Sequence, residues 1–242
     1  MKHTTHIYEN AELSARAVAD LILGKAKIKQ QQSQFFNLAV SGGATPKYLF
    51  SLLAEEDYRT QIPWENVRFF WVDERCVEPT DSESNFGMTY DALLQYAFVP
   101  ADNIFRMKGE DIPENEANRY KDLLRNKLPA KDGFPVFDLV LLGLGDDGHT
   151  ASIFPDNLLL LDSEKSVEVA THPVSGQKRI TLTGRTINNA CEVVFLINGN
   201  KKAKIVEDII KKTPAASAYP AFYVHNAAGE SSFYLDKEAV SF

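Results

Sequence analysis

The chain has 242 residues, a length that fits one large domain or two small ones at about 100 to 200 residues each. Apolar residues make up 44% and charged residues 24%, ordinary globular usage that excludes disordered, collagen-like and coiled-coil chains. Lys and Arg number 26 against 33 Asp and Glu, a net charge of −7, so no overall positive field favours a nucleic acid, and an anionic ligand must be met by a local cluster of donors.

The opening residues hold no apolar run long enough for a signal peptide or a membrane span. Cys76 and Cys191 form no C-x-x-C pair. Both observations lead us to expect a cytoplasmic protein with no membrane partner and with both cysteines buried. Leu13, Ala17 and Leu21, with Val18 and Ile22, form a helix-period stripe, and the polar stretch Gln30 to Gln34 reads as that helix's end.

The first apolar run, Phe35 to Val40, leads into Ser41-Gly42-Gly43-Ala44-Thr45-Pro46 and a helical segment with Leu49, Leu52 and Leu53. Thr45 is a suitable N-cap and Pro46 a suitable first helical residue, so free backbone N–H groups should point into a glycine turn where an anion can approach. Ser41 does not fit a nucleophile elbow, because G-x-S-x-G needs glycine where Ala39 stands. A second run, Val67 to Val72, is followed by Asp73-Glu74-Arg75, read as a loop at the sheet's carboxyl edge. There an arginine can fork onto a phosphate, and an aspartate can orient water or hydroxyls. Pro113 then opens a helix whose stripe is Ala117, Tyr120, Leu124 and Leu128.

The third run, Phe137 to Leu142, precedes Gly143-Leu144-Gly145-Asp146-Asp147-Gly148-His149-Thr150-Ala151-Ser152. The glycines satisfy G-x-G-x-x-G on paper. Two aspartates in the turn and Pro155 soon after argue against a pyrophosphate site. The loop reads better as a rigid mount for His149, a general base whose tautomer a neighbouring carboxylate fixes. Arg179 opens another apolar run at Ile180 to Thr183. Lys202 stands at the start of a helix over Lys201 to Lys212, after the run Val193 to Ile197. A cation there opposes the helix dipole, which makes sense if an anion lies between them. The helix buries Ile205, Val206 and Ile209, and Lys201, Lys204, Lys211 and Lys212 read as solvated.

Apolar runs without alternation mark strands covered on both faces, and helical segments lie between them. The expected fold is α/β: a doubly wound, mainly parallel sheet with helices on both faces, one domain over residues 1–242, its site at the strands' carboxyl ends. His3, His6, His172 and His225 complete no metal-ligand set, so neither a metal nor another cofactor is expected.

In order, SGGATP, DER, GLGDDGHTASIFP, RITLT with INNA, and GNKKAKIV resemble the 6-phosphogluconolactonase family, within the larger group that includes the glucosamine-6-phosphate deaminases. The similarity runs over essentially the whole chain. It implies a cytoplasmic hydrolase of the oxidative pentose phosphate pathway that opens 6-phospho-D-glucono-1,5-lactone to 6-phosphogluconate. It further implies a phosphate cradle of Gly42, Gly43, Thr45, Arg75, Arg179 and Lys202, flanked by Ser41, with His149 as the base. Asp73 and Asp147 join the catalytic set, and which of Asp73, Asp146 and Asp147 touches the histidine or water stays open. Deaminases carry a glutamate shortly after that histidine and tend to have tyrosine in place of Arg75. Here the stretch is Ser152-Ile153-Phe154-Pro155. Phe222 stands where lactonases commonly place serine, which puts a rim contact in doubt. The alternatives are an aminosugar-phosphate deaminase and a non-catalytic sugar-phosphate sensor, and oligomeric state is left undetermined.

Overall fold

A strand in which every residue is apolar needs cover on both faces, and the computed structural model, which describes residues 2–241, supplies it. In chain order the strands are β1 (Lys2–Tyr8), β2 (Phe36–Val40), β3 (Val67–Trp71), β4 (Asp73–Arg75), β5 (Ile104–Phe105), β6 (Ala130–Lys131), β7 (Phe134–Pro135), β8 (Leu139–Leu142), β9 (Val167–Thr171), β10 (Lys178–Leu182), β11 (Val193–Ile197) and β12 (Glu230–Asp236). The α-helices are α1 (Ala11–Gln31), α2 (Ala44–Leu53), α3 (Glu56–Arg59), α4 (Asn85–Thr89), α5 (Pro113–Lys127), α6 (Gly184–Asn188) and α7 (Ala203–Lys211).

Seven strands form one sheet in the order β1-β12-β11-β8-β2-β3-β5, parallel at every ladder. Side chains alternate between two cores. Val140 and Leu142 of β8 face a core with Phe70, Phe137 and Phe195, while Leu139 and Leu141 face the other with Phe36, Phe69 and Trp71. Each half of a strand's side chains thus has its own apolar partner layer, which is why the runs show no alternation. The expected doubly wound, mainly parallel α/β architecture is present.

Local chemistry sets most boundaries. Asn10 caps α1 by accepting from the Leu13 N–H at 2.9 Å, and Pro113 takes the first position of α5. The α5 stripe is buried as expected. On α1 the buried face is rotated from the expected stripe: Ser14, Ala15, Val18, Ala19, Ile22 and Ala26 are covered, while Leu13 is 45% exposed. Small side chains let this helix lie close to its neighbours, and hydrophobicity alone misjudged which stripe would do so.

Three further expectations are corrected. Residues 180–183 do not belong to the parallel sheet: β10 is the middle of a separate antiparallel sheet, β4-β10-β9. Asp73-Glu74-Arg75 is not a loop, because it pairs with β10 as strand β4. Val72 is the crossover between the sheets. Its N–H donates to Val40 of β2 at 2.9 Å, and its carbonyl accepts from Leu182 at 2.7 Å. Cys191 is exposed and Cys76 half-buried, since Cys191 lies in the turn before β11 and not on an element.

Candidate active site

The sheet order reverses between β2 and β8. From β2 the chain steps outward to β3 and β5, whereas β8, β11 and β12 lie on the other side. At such a switch point the loops leaving neighbouring strands part and open a crevice at their carboxyl ends. A cavity of about 290 Å³ lies there, walled by residues that follow β2, β3, β8 and β11. Ser41, Gly42, Gly43, Thr45, Asp73, Arg75, His149, Arg179 and Lys202 all line it. Asp147 does not, but its side chain touches one that does.

His149 is oriented by its own loop. Its Nδ1 lies 2.6 Å from Asp147 Oδ1, and the same oxygen accepts the His149 backbone N–H at 3.0 Å. Burial opposes ionisation of Asp147, but the hydrogen bonds from the His149 ring and backbone outweigh it and hold the carboxyl below its usual range. An ionised carboxylate only accepts, so in the neutral imidazole Nδ1 carries the proton and Nε2 the lone pair. Nε2 makes no hydrogen bond among the described residues. The loop's glycines follow from this packing. A Cβ on Gly145 would overlap the imidazole, and Gly148, at φ 85°, lies against the Tyr219 ring. The G-x-G-x-x-G look-alike therefore makes room for side chains, and Pro155 opens a 3₁₀ segment, Pro155–Leu161, behind it.

The glycine turn is built differently from expectation. The N-cap of α2 is Gly43, at φ 111°, and not Thr45. Such a φ is open to glycine at little cost, so the chain enters the helix one residue after the turn and Thr45 falls in its first turn. No side chain caps these amides. Ser41 Oγ is buried beside them without a hydrogen-bond partner. Gly42 is tightly covered, since a Cβ there would collide with Asn85.

Cations converge from the antiparallel sheet and from the start of α7. The β4–β10 register sets Arg75 opposite Arg179, a like-charge pair that ordinarily destabilises a sheet. The Nε atoms of both are buried without a partner. Burial, and then the neighbouring Arg75 charge, lower the Arg179 pKa, and burial lowers that of Lys202. Lys202 pairs with Asp146. Among the aspartates left open above, Asp147 therefore meets the histidine and Asp146 a lysine. Asp73, 4% exposed, accepts from Ser152 Oγ at 2.6 Å.

Sequence reasoning passed over several contributors. Glu74 is buried and accepts from the backbone N–H groups of Arg75, Asn85 and Phe86 and from Ser84 Oγ, which ties the start of α4 to β4. Asn85 lines the cavity and donates from Nδ2 to the Asp73 carbonyl at 2.9 Å. No local pattern marks it. Ala151 takes φ 50°, a left-handed conformation uncommon for a side-chain-bearing residue, at the cavity wall. Ser152 then donates from its backbone to Thr181. His172 stands nearby, its pKa lowered first by burial and then by Arg179 and His149. Phe222 is not at the wall: it packs against His3 and Tyr223, while Ala221 N–H holds the Gly148 carbonyl at 3.2 Å.

A family model described as glucosamine-6-phosphate isomerases/6-phosphogluconolactonase matches residues 9–233. The chain is 40% identical over 224 residues to a 6-phosphogluconolactonase of Treponema pallidum, covering 93% of this chain and 91% of the relative. It is 40% identical over 228 residues to one of Haemophilus influenzae, covering 94% and 96%. The crystal structure of 6-phosphogluconolactonase from Leishmania guyanensis is 32% identical with a TM-score of 0.87, covering 100% of this chain and 98% of that one. Coverage of this extent takes in the central sheet, the antiparallel sheet and every wall of the cavity: the chain belongs to the glucosamine-6-phosphate isomerase/6-phosphogluconolactonase family.

Proposed function

We propose that this chain hydrolyses 6-phospho-D-glucono-1,5-lactone to 6-phosphogluconate, with His149 taking a proton from the attacking water. The observation that carries the reading is the joint occupancy of one cavity by an imidazole with a free Nε2 and by Arg75, Arg179 and Lys202. A lactone is an activated ester whose ring oxygen is the leaving group. One base, donors for the oxyanion and later protonation of the alkoxide are enough, and no covalent nucleophile is needed. Arg75, Arg179, Lys202 and the amides around Gly42, Gly43 and Thr45, flanked by Ser41, hold the 6-phosphate. Binding that remote group orients the carbonyl against His149 and its water. Asp147 keeps the imidazole in the right tautomer, and Asp73 accepts from substrate hydroxyls or water.

No metal or cofactor enters this scheme. The reaction belongs to one α/β domain spanning residues 1–242 and to the cytoplasm, a reading supported by the cysteine usage. Among the described residues no helix is long and apolar enough to cross a membrane. The test is a pair of assays on the purified protein: acid release from freshly generated 6-phosphogluconolactone, and ammonia release from glucosamine 6-phosphate. Turnover of the lactone above the spontaneous rate, without ammonia release, is the expected result. Ammonia release would favour the deaminase reading, and binding of 6-phosphogluconate without turnover the sensor.

A further inference from the structure

Phe154 is 1% exposed, yet it belongs to neither apolar core. Three polar groups beside the cavity touch it. The His149 ring centre lies 4.8 Å from that of Phe154, tilted by 49°. The Arg179 guanidinium carbon stands 5.7 Å from the ring centroid, and His172 meets the ring edge to face at 5.1 Å. A large aromatic side chain is ordinarily buried by other apolar groups, so a buried ring in contact with two imidazoles and a guanidinium is set where it can act on them.

Arg179 depends on this contact more than a buried arginine usually does. Its guanidinium makes no hydrogen bond or ion pair among the described residues, its Nε is buried without a partner, and Arg75 faces it across the ladder. The ring face of Phe154 offers attraction without occupying a donor. His149 likewise has one polar tether, Asp147 at Nδ1, and beyond the Gly145 backbone that abuts its ring an aromatic face is needed to fix its tilt. Phe154 supplies it.

We propose that Phe154 is a positioning residue that couples the two ends of the substrate. An anion drawn onto Arg179 seats the guanidinium against the ring, and the ring holds the His149 imidazole at the angle its base function needs. The proposal rests on the lactonase reading of the site. Close-packed interiors transmit such adjustments because there is no slack between the groups, and remote binding energy spent on orientation appears in kcat as well as KM.

The coupling can be tested by separating the anion from the lactone. Glucono-1,5-lactone, which lacks the phosphate, is offered to the wild-type protein with and without inorganic phosphate, and the enzyme-free rate at the same phosphate concentration is subtracted. Phosphate should speed enzymatic turnover by at least about fivefold, a modest part of what orientation can contribute. Phe154→Leu keeps most of the volume but removes the ring faces, so it should lose this acceleration, whereas Phe154→Tyr keeps the ring and should retain it. With the phosphorylated lactone, Phe154→Leu should lower kcat by about tenfold or more while 6-phosphogluconate still binds. Absence of phosphate acceleration in the wild-type protein overturns the coupling whatever the variants' stability, and so does full acceleration in folded Phe154→Leu. Failure of the wild-type protein on the phosphorylated lactone is a separate result that overturns the lactonase reading instead.

Discussion

At His149 the chemistry reduces to one proton and one tether. On the proposed mechanism, replacing it with alanine removes the base but leaves Arg75, Arg179 and the α2 turn in place. Turnover should therefore fall at least about a hundredfold, while 6-phosphogluconate, followed by calorimetry, binds nearly as before. Activity within a few-fold of wild type in the folded variant would take His149 out of the mechanism. Asp147 supplies a sign for the pH dependence. Its carboxyl is held below the usual range, so its charge is fully present above that range and is lost only as pH falls through the depressed value. Through the working range Asp147 thus stays ionised and adds no acid limb of its own. Asp147→Asn should lower the plateau by about tenfold or more, because an amide no longer dictates the tautomer, and should keep a single-proton limb. A limb that vanished in Asp147→Asn would assign the titration to Asp147.

Among the elements, those with the plainest sequences were the easiest to read. β2, β3, β8 and β11 announce themselves because cover on both faces demands unbroken apolar runs, and the segments after them line the cavity. β1 and β12 were not legible. β1 is an edge strand with one partner, mostly exposed, so its sequence KHTTHIY has no reason to be apolar. β12 buries only alternate residues over most of its length. The pairing of β4 with β10 was equally hidden, since nothing local in DER or RITLT says that Arg75 and Arg179 will face each other. Asn85 reaches the cavity through its bonds to Asp73 and Glu74 of β4, which no local pattern announces. β1 also carries a testable consequence. Its His3 has Nδ1 2.8 Å from Ser231 Oγ and its ring edge-on to Phe233. Burial first, then the charges of Lys212 and His225, lower its pKa to about 4. The folded protein keeps this imidazole neutral while the unfolded chain takes up a proton below about 6.5. Stability is therefore present above that value and lost as pH falls toward about 4. Urea midpoints should drop from about pH 7 to about pH 5 in the wild-type protein and drop less in His3→Gln, which cannot titrate. Equal drops would show that β1 does not sense this proton.

Across the whole molecule, charge is distributed against its own average. A chain of net charge −7 gathers Arg75, Arg179 and Lys202 around one cavity and leaves Arg179 opposite Arg75 across a ladder. Burial and that neighbour already disfavour the Arg179 charge, so holding it there costs folding free energy that a bound anion would offset. Stability and binding should consequently move in opposite directions in Arg179→Gln. Without ligand, the variant's thermal midpoint should equal or exceed that of the wild-type protein. Its affinity for 6-phosphogluconate should be weaker by about 1.5 to 3 kcal/mol, the range for a charge-assisted hydrogen bond. The two effects meet in one melting experiment. At a ligand concentration about a hundredfold above Kd, the wild-type protein gains about 2.7 kcal/mol by mass action. At that same concentration the variant, binding more than about tenfold less tightly, should gain at least about 1.3 kcal/mol less. If Arg179→Gln instead melts lower without ligand and gains as much with it, the arginine serves the antiparallel sheet and the phosphate is held elsewhere.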